Sequence, residues 1–319
     1  MGFFLALAGL ASAQTAAPAM PVGSQPPLRL IVPFTPGTGI DLIARTVGPK
    51  LGERLGRAVV VDNRAGASGN IGTEAVVRAA PNGNTLLVSV NTLVMNRSLY
   101  PQLAFDPVKD LTPVSLTSWG QLLLVTGPKT GFKTAADLVA AAKRQPGRLN
   151  YASPGVGTPH HMAMELLKNR AGIYLTHIPY RGTAQAVTDV LGGQVDVMFL
   201  PIHVALPQVK AGKLVALGLG SNKRHALLPL VPTLAEAHVG DVNVEMWYGI
   251  FAPLGTPPEQ VARLNRELRD ILAGPEVRAA FETQGMDPAS SSPEEFQMLV
   301  KEDAVRWAQL IKTQHLTAE

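Results

Sequence analysis

From Leu28 onward, short apolar runs alternate with segments whose apolar positions recur at helical spacing. LRLIV (28–32) predicts a strand, and Ile43, Val47, Leu51 and Leu55 after it predict one face of a helix. Strands follow at Val59–Asp62, Thr85–Val90, Gln121–Thr126, Leu149–Ser153 and Ile173–Pro179. Helices are expected over Ser68–Ala79, Thr134–Arg144, His161–Asn169 and Ala184–Leu191. Val195–Leu200 and Leu214–Leu219 are continuous apolar runs, as strands covered on both faces should be. Strands alternating with helices of this length imply βαβ units and mainly parallel sheets.

The last third is mostly helical. Thr256-Pro257-Pro258-Glu259 reads as a capping box opening a helix with Val261, Leu264, Leu268 and Ile271 on one face. Ser292-Pro293-Glu294-Glu295 repeats the device ahead of Phe296, Leu299, Val300, Trp307, Leu310 and Ile311. These helices need a sheet to cover. The economical arrangement is a first lobe from 28–127 and 248–319 with a second from 128–247. The crossings then fall near Gly127-Pro128 and Met246–Gly249, and two crossings make a hinge with a ligand cleft beside it.

A length of 319 residues suits two lobes. With 46% hydrophobic and 16% charged residues, the chain can build a substantial core. Net charge is +4, but Lys and Arg are scattered and aromatics are only 5%, which argues against a nucleic-acid surface. The absence of Cys removes disulfides and thiolate sites. Phe3–Leu10 followed by Ala11-Ser12-Ala13 has the apolar core and A-x-A ending of a secretory signal, lacking the basic start. Residues 1–27 are therefore expected to be a partial signal and an unstructured leader, and the protein periplasmic. No later stretch approaches a membrane span.

Three strand-to-helix junctions carry the candidate chemistry. Val32–Asp41 ends a strand, passes a Gly/Thr/Pro loop and starts a helix, so free amides and the helix dipole can attract an anion. An ordinary βα turn is the alternative for this loop taken alone. A dinucleotide fingerprint would need Gly where Leu42 stands, and a phosphate loop would need Gly-Lys-Ser/Thr. Tyr151–His161 repeats the architecture, and its adjacent His pair points about 100° apart with no nearby carboxylate, so no metal site is expected. His177–Gln185 is the third junction, with Thr183 as its N-cap. Gly66-Ala67-Ser68-Gly69-Asn70 does not match a nucleophile elbow, and no acid–base pair is evident. No enzyme activity and no cofactor are expected.

Together these segments resemble the Bug family, the extracytoplasmic solute receptors of tripartite tricarboxylate transporters. The resemblance lies in LRLIVPFTPGTGIDLIAR (28–45), VVVDNRAGASGNIGTEAV (59–76), APNGNTLL (80–87) and NRSLYPQLAFDPVKDLTPVS (96–115). It continues through YASPGVGTPHHMAMEL (151–166), HIPYRGTAQAVTDVLGGQVDVMF (177–199), ALPQVKAGKL (205–214), LPLVPTLAEA (228–237) and WYGIFAPLGTP (247–257). It implies an α/β, type II periplasmic-binding-protein-like fold whose two hinged lobes hold one ligand carboxylate by amides, small hydroxyls and water. The first-lobe contacts it implies are Phe34, Thr35, Gly37, Thr38, Gly39 and Asp41, with Asp41 orienting water, plus Ser89, Asn91 and Asn96. From the second lobe it implies Ser153, Gly157, Thr158, His161, Tyr180, Thr183 and Ala184.

Two departures stand out: Gly37-Thr38 where the family usually has Gly-Gly, and Leu200-Pro201 where many members carry Asp. Without that Asp to meet an ammonium, a plain or aromatic carboxylate is favoured over an amino acid. The expected partners are a small carboxylate and the membrane subunits of a tripartite transporter, served by a monomer. The alternative is an exported carboxylate receptor that signals to a sensor protein; a hydrolase or dehydrogenase is the third reading.

Overall fold

A computed structural model describes residues 25–100, 102–313 and 316. The expected signal and most of the leader lie outside the described residues. In chain order the elements are β1 (Leu28–Val32), α1 (Gly39–Leu55), β2 (Val59–Asn63), α2 (Asn70–Val77), β3 (Thr85–Val90), α3 (Thr92–Leu99), β4 (Leu111–Gly120) and β5 (Leu122–Thr126). Next come α4 (Ala135–Arg144), β6 (Asn150–Ser153), α5 (Pro159–Ala171), β7 (Thr176–Pro179), α6 (Thr183–Gly192), β8 (Val197–Pro201), α7 (Ile202–Lys210) and β9 (Val215–Leu219). The chain ends with β10 (Met246–Pro253), α8 (Pro258–Ala273), α9 (Pro275–Glu282), β11 (Met286–Pro288) and α10 (Pro293–Thr313).

Two sheets form, ordered β11-β4-β10-β3-β1-β2 and β7-β6-β8-β5-β9. Leaving β11 aside, the order is the same in each: second, first and third strands of the lobe, then a crossing strand, then a fourth. β1 lies parallel to β2 and β3, as β6 does to β7 and β8. β10 and β5 are antiparallel to both their neighbours. The sheets are thus mixed rather than mainly parallel, because each contains one strand that arrives from the opposite lobe.

That strand also moves the expected boundary. β5 sits between β8 and β9, so residues 122–127 belong to the second sheet and not to the first lobe. The chain leaves the first sheet at Gly120-Gln121, six or seven residues before the expected Gly127-Pro128. It returns through 220–245, and Met246–Gly249 lie inside β10 rather than in a hinge. Met246 pairs with Gly120 across the ladder, so the two crossings run side by side. Unlike the continuous apolar run of β8, β4 (LTPVSLTSWG) and β10 (MWYGIFAP) are interrupted by Ser, Thr, Pro or Gly. They show neither an unbroken run nor an alternation, which is why they escaped the sequence pattern.

The first-lobe core follows the helical spacing closely. Ile43, Val47 and Leu51 of α1 are fully buried in one core with Leu30 and Leu86, which pair side by side on the sheet; each such side chain contributes about 1.5–3 kcal/mol. α10 is fixed to the returning strand by Trp247 Nε1, which donates to the buried Asp303 carboxylate at 2.8 Å. Phe296 meets Trp247 edge-on there, with centroids 5.4 Å apart. The Ser292 capping box forms, Glu295 N donating to Ser292 Oγ and Ser292 N to Glu295 Oε2. The Thr256 box does not: α8 starts at Pro258, and Thr256 Oγ1 donates back to the Pro253 carbonyl. None of the described helices is long and apolar enough to cross a membrane.

Candidate functional site

The junctions β1–α1 and β6–α5 are built to one plan. Gly37 (φ 84°) and Gly157 (φ 79°) both take the left-handed conformation that glycine alone adopts cheaply. The Thr that follows each turns its hydroxyl back on the loop: Thr38 Oγ1 donates to the Thr35 carbonyl at 3.2 Å, Thr158 Oγ1 to that of Gly155 at 2.7 Å. Each glycine N–H then donates to the third residue of the helix, Gly37 to Asp41 Oδ2 at 3.0 Å and Gly157 to His161 Nδ1 at 3.3 Å. The result is a turn that sets the N-termini of α1 and α5 at the cleft, where helix N-termini favour negative charge. The amides there are those of Gly39 and Ile40 on one side and of His160 on the other, Pro159 having none.

The fastenings behind the two turns differ. Asp41 also accepts from Arg45 Nε and from Asn63 Nδ2, both at 3.0 Å, and Asn63 donates in addition to the Phe34 carbonyl. Burial pushes the Asp41 carboxyl up, but Arg45, the Gly37 amide and Asn63 together hold it below the ordinary value. Behind the second turn the direct ties are rings and a hydroxyl, with an ion pair one step further back. His177 stacks on His161 and Tyr151 with centroids 4.4 and 4.7 Å apart, and its Nε2 meets Ser153 Oγ at 2.7 Å. Tyr151 Oη donates to Glu165, which also takes the Lys168 ammonium at 2.7 Å. Burial, then the charge of Lys168, pushes His161 down to about 4.

Between the turns lies a cavity of about 40 Å³, room for about three waters. The first lobe supplies Phe34, Thr38, Gly39, Ile40, Val90, Thr92, Met246 and Tyr248. The second supplies Pro154, Thr158, Pro159, His160, Thr183, Pro201, His203 and Val204. No Asp, Glu, Lys or Arg is among them. Thr92 Oγ1, both ring nitrogens of His160 and His203 Nε2 are buried there without a hydrogen-bond partner. Burial pushes His160 down to about 3, helped by His203, and His203 itself to about 4. The lobes touch around this cavity: the Tyr100 hydroxyl reaches the Val156 carbonyl at 3.4 Å, and Thr35 packs on Gly182.

Of the residues singled out in the sequence, Phe34, Thr38, Gly39, Thr158 and Thr183 line the cavity. Asp41, Ser153, Gly157 and His161 stand behind it and hold the turns, so the Asp41 carboxylate is occupied by Gly37, Arg45 and Asn63 rather than turned to the cleft. Thr35 and Asn96 lie where the lobes meet, Asn96 Nδ2 donating to the Ser68 carbonyl. Ser89 and Asn91 are buried beside the crossing, where Asn91 Nδ2 donates to the Glu245 carbonyl. Tyr180 Oη donates to Asp189 at 2.6 Å, while Gly37 and Ala184 are exposed. Thr183 is the first residue of α6 and makes no side-chain cap, the cap position being Gly182.

The sequence reading missed Thr92, His160, His203 and Tyr248. One signal was available for His160: it occupies in α5 the place that Ile40 holds in α1, so the matched turns predict that it faces the same way. His203 stands two residues beyond a strand end, where the departure Leu200-Pro201 had already drawn notice. Tyr248 lies within β10, a strand the pattern did not show.

A family model described as "Tripartite tricarboxylate transporter family receptor" matches residues 43–316. The chain is 36% identical to protein BugT of Bordetella pertussis over 314 residues, covering 98% of this chain and 95% of BugT. Among solved structures, Rpa4515 of R. palustris with adipate superposes at a TM-score of 0.88 with 31% identity, covering 91% of this chain and 98% of that one. MatC of Rhodopseudomonas palustris with bound malate does so at 0.84 with 30% identity, covering 92% and 100%. The repeated strand order and the cleft between two α/β lobes are those of type II periplasmic binding proteins.

Proposed function

The chain belongs to the tripartite tricarboxylate transporter receptor family, and from that premise we propose that it captures a small carboxylate between its lobes and delivers it to the membrane subunits of such a transporter. It is a periplasmic solute-binding receptor and not an enzyme, as its family and structural neighbours are. The ligand and the transporter are the proposed part, together with export through an N-terminal signal and action as a monomer. The neighbours with bound adipate and malate support a carboxylate for this chain.

One observation carries the reading: the N-termini of α1, α5 and α6 converge on a buried cavity that contains no formal charge. An anion placed there meets amides and hydroxyls from both lobes, which compensates its lost hydration without a cation. Ligand contacts are assigned to Phe34, Thr38, Gly39, Thr158 and Thr183, with Asp41, Gly157 and His161 holding the turns. The lobes then rotate about the paired crossings at Gly120-Gln121 and 220–245. Ligand drives closure because only the closed form offers both sets of donors.

The test is a thermal-shift and calorimetric panel of mono-, di- and tricarboxylates on the purified protein. A true ligand raises the unfolding temperature, stabilising by about 2.7 kcal/mol at a hundred times Kd. A flat response to every carboxylate overturns the proposal. Loss of uptake of that ligand in a deletion strain tests delivery separately.

A further inference from the structure

His160 and His203 are assigned no role by the turns or by the neighbours, yet they hold three of the buried, unpartnered polar atoms of the structure. Leaving such an atom unpaired costs about 1–3 kcal/mol, so their retention in the wall marks a place for a partner. Their position is specific. A Cβ built on Gly39, the first residue of α1, would fall 3.0 Å from His203 Cε1 and 2.9 Å from Tyr248 Oη. His160 belongs to the first turn of α5. Two helix N-termini, two imidazoles and a phenol therefore meet at one spot, with Thr92 Oγ1 also free in the same wall.

We propose that the ligand is a compact monocarboxylate with an apolar body, and that His160 and His203 donate hydrogen bonds to its carboxylate where α1 and α5 begin. The inference rests on the carboxylate reading of the cleft and narrows it. The helix ends supply positive potential for one anionic group. The remaining wall is apolar, formed by Phe34, Ile40, Val90, Met246, Val204 and prolines. A second carboxylate would have to lie against those side chains without a countercharge, which is strongly unfavourable. The Tyr248 hydroxyl donates only a long bond to Met246 Sδ at 3.7 Å, which it can exchange for the ligand, so the carboxylate would also tie the returning strand to the closed form.

Each ring acts as a neutral donor. The titratable groups facing His160 are His203 from α7 and Tyr248 from β10. α1, α3, α6 and β8 bring none to the cavity wall. The protein wall itself holds nothing anionic to recruit a proton. The arriving carboxylate favours one, but burial and the two helix N-termini oppose it more strongly, as for a neutral imidazole acting as electrophile at a helix start. Binding therefore leaves the imidazoles uncharged between about pH 5.5 and 8, above the unperturbed ionisation range of carboxylic acids.

Calorimetry with benzoate, hexanoate, adipate and malate, on wild type and on His160→Leu, His203→Leu, His160→Gln and His203→Gln, tests this. Expected is at least tenfold tighter binding of a monocarboxylate than of either dicarboxylate. Affinity should be flat from pH 5.5 to 8, with at least a tenfold loss in each Leu variant and part of that loss recovered in the Gln variants. Circular dichroism melts identify any Leu variant that fails to fold, in which case the Gln variants and the pH profile decide. Preference for adipate or malate overturns the ligand class but leaves the receptor reading intact. Wild-type affinity in both Leu variants, or proton uptake that depends on buffer, overturns the histidine role. Silence toward all four acids overturns this inference; the proposed function falls only if the full panel of mono-, di- and tricarboxylates is silent as well.

Discussion

The two turns that face each other across the cleft share a backbone and differ in everything that holds it. In the first, a buried carboxylate gathers Gly37, Asn63 and Arg45. In the second, an imidazole at the same helical place accepts from Gly157 and leans on a stack of His177 and Tyr151. The residue one step earlier faces the cavity in both, as Ile40 on one side and His160 on the other. The same anion-receiving main chain can thus be locked by charge or by stacking, and the side chains presented to the ligand are free to differ. At this one position the first lobe presents an aliphatic side chain to the cavity and the second an imidazole.

The comparison breaks most readily at its ionic side. Asp41→Ala strands the Gly37 amide and the Asn63 amide together, so a stability loss of about 2–3 kcal/mol is expected in urea unfolding, with weaker carboxylate binding. A loss under 0.5 kcal/mol would show that the turn holds without its carboxylate.

Acid should separate the halves next. His161 and His177 are pushed down to about 4 and about 3, in both cases first by burial. The unfolded chain takes up these protons from about pH 6.5. The folded protein resists, so stability falls as pH drops from 6.5 toward 4, by a few kcal/mol in all. Asp41, with its carboxyl held below the ordinary value, contributes stability that is lost only at still lower pH. Melting temperatures at pH 7 and 4.5 should therefore fall less for His161→Gln than for wild type, while Asp41→Asn keeps the wild-type slope over that interval.

The glycines give a finer contrast. Alanine at either position carries the same left-handed strain, about 1–2 kcal/mol. At Gly157, however, its Cβ would lie 2.6 Å from Leu99 Cδ1 and 2.8 Å from Asn96 Oδ1 of the other lobe, whereas at Gly37 nothing lies within 4 Å. Gly157→Ala should cost at least tenfold in affinity by obstructing closure; Gly37→Ala should change affinity less than threefold. Equal losses would mean that strain, and not the lobe contact, governs. Smallest is the hydroxyl pair, where Thr158→Val should destabilise by about 1 kcal/mol and the more exposed Thr38→Val by less, both readable as shifts in urea midpoint.

Much of the fold was legible. The i+4 face of α1, the Ser292 capping box and the turns after β1 and β6 all follow from local rules that involve neighbours within about one helical turn. β4 and β10 were not legible, because Ser, Thr, Pro and Gly break their apolar runs without setting up an alternation. The same blindness concealed Tyr248. For Asp41 the resemblance implied a role in orienting water; its partners Gly37, Arg45 and Asn63 emerge only when the chain brings Asn63 to it from β2.

What the sequence determined by itself is the repeated Gly-Thr turn, the helices behind it and the family, since each depends on residues close together in the chain. The tertiary structure alone decided which side chains line the cavity. His160, His203, Tyr248 and Thr92 come from four separate elements and meet only when the crossing strands fold one lobe over the other. Burial then removes water from Thr92, His160 and His203 and leaves polar atoms of each unpaired, a condition that spacing along a chain does not encode.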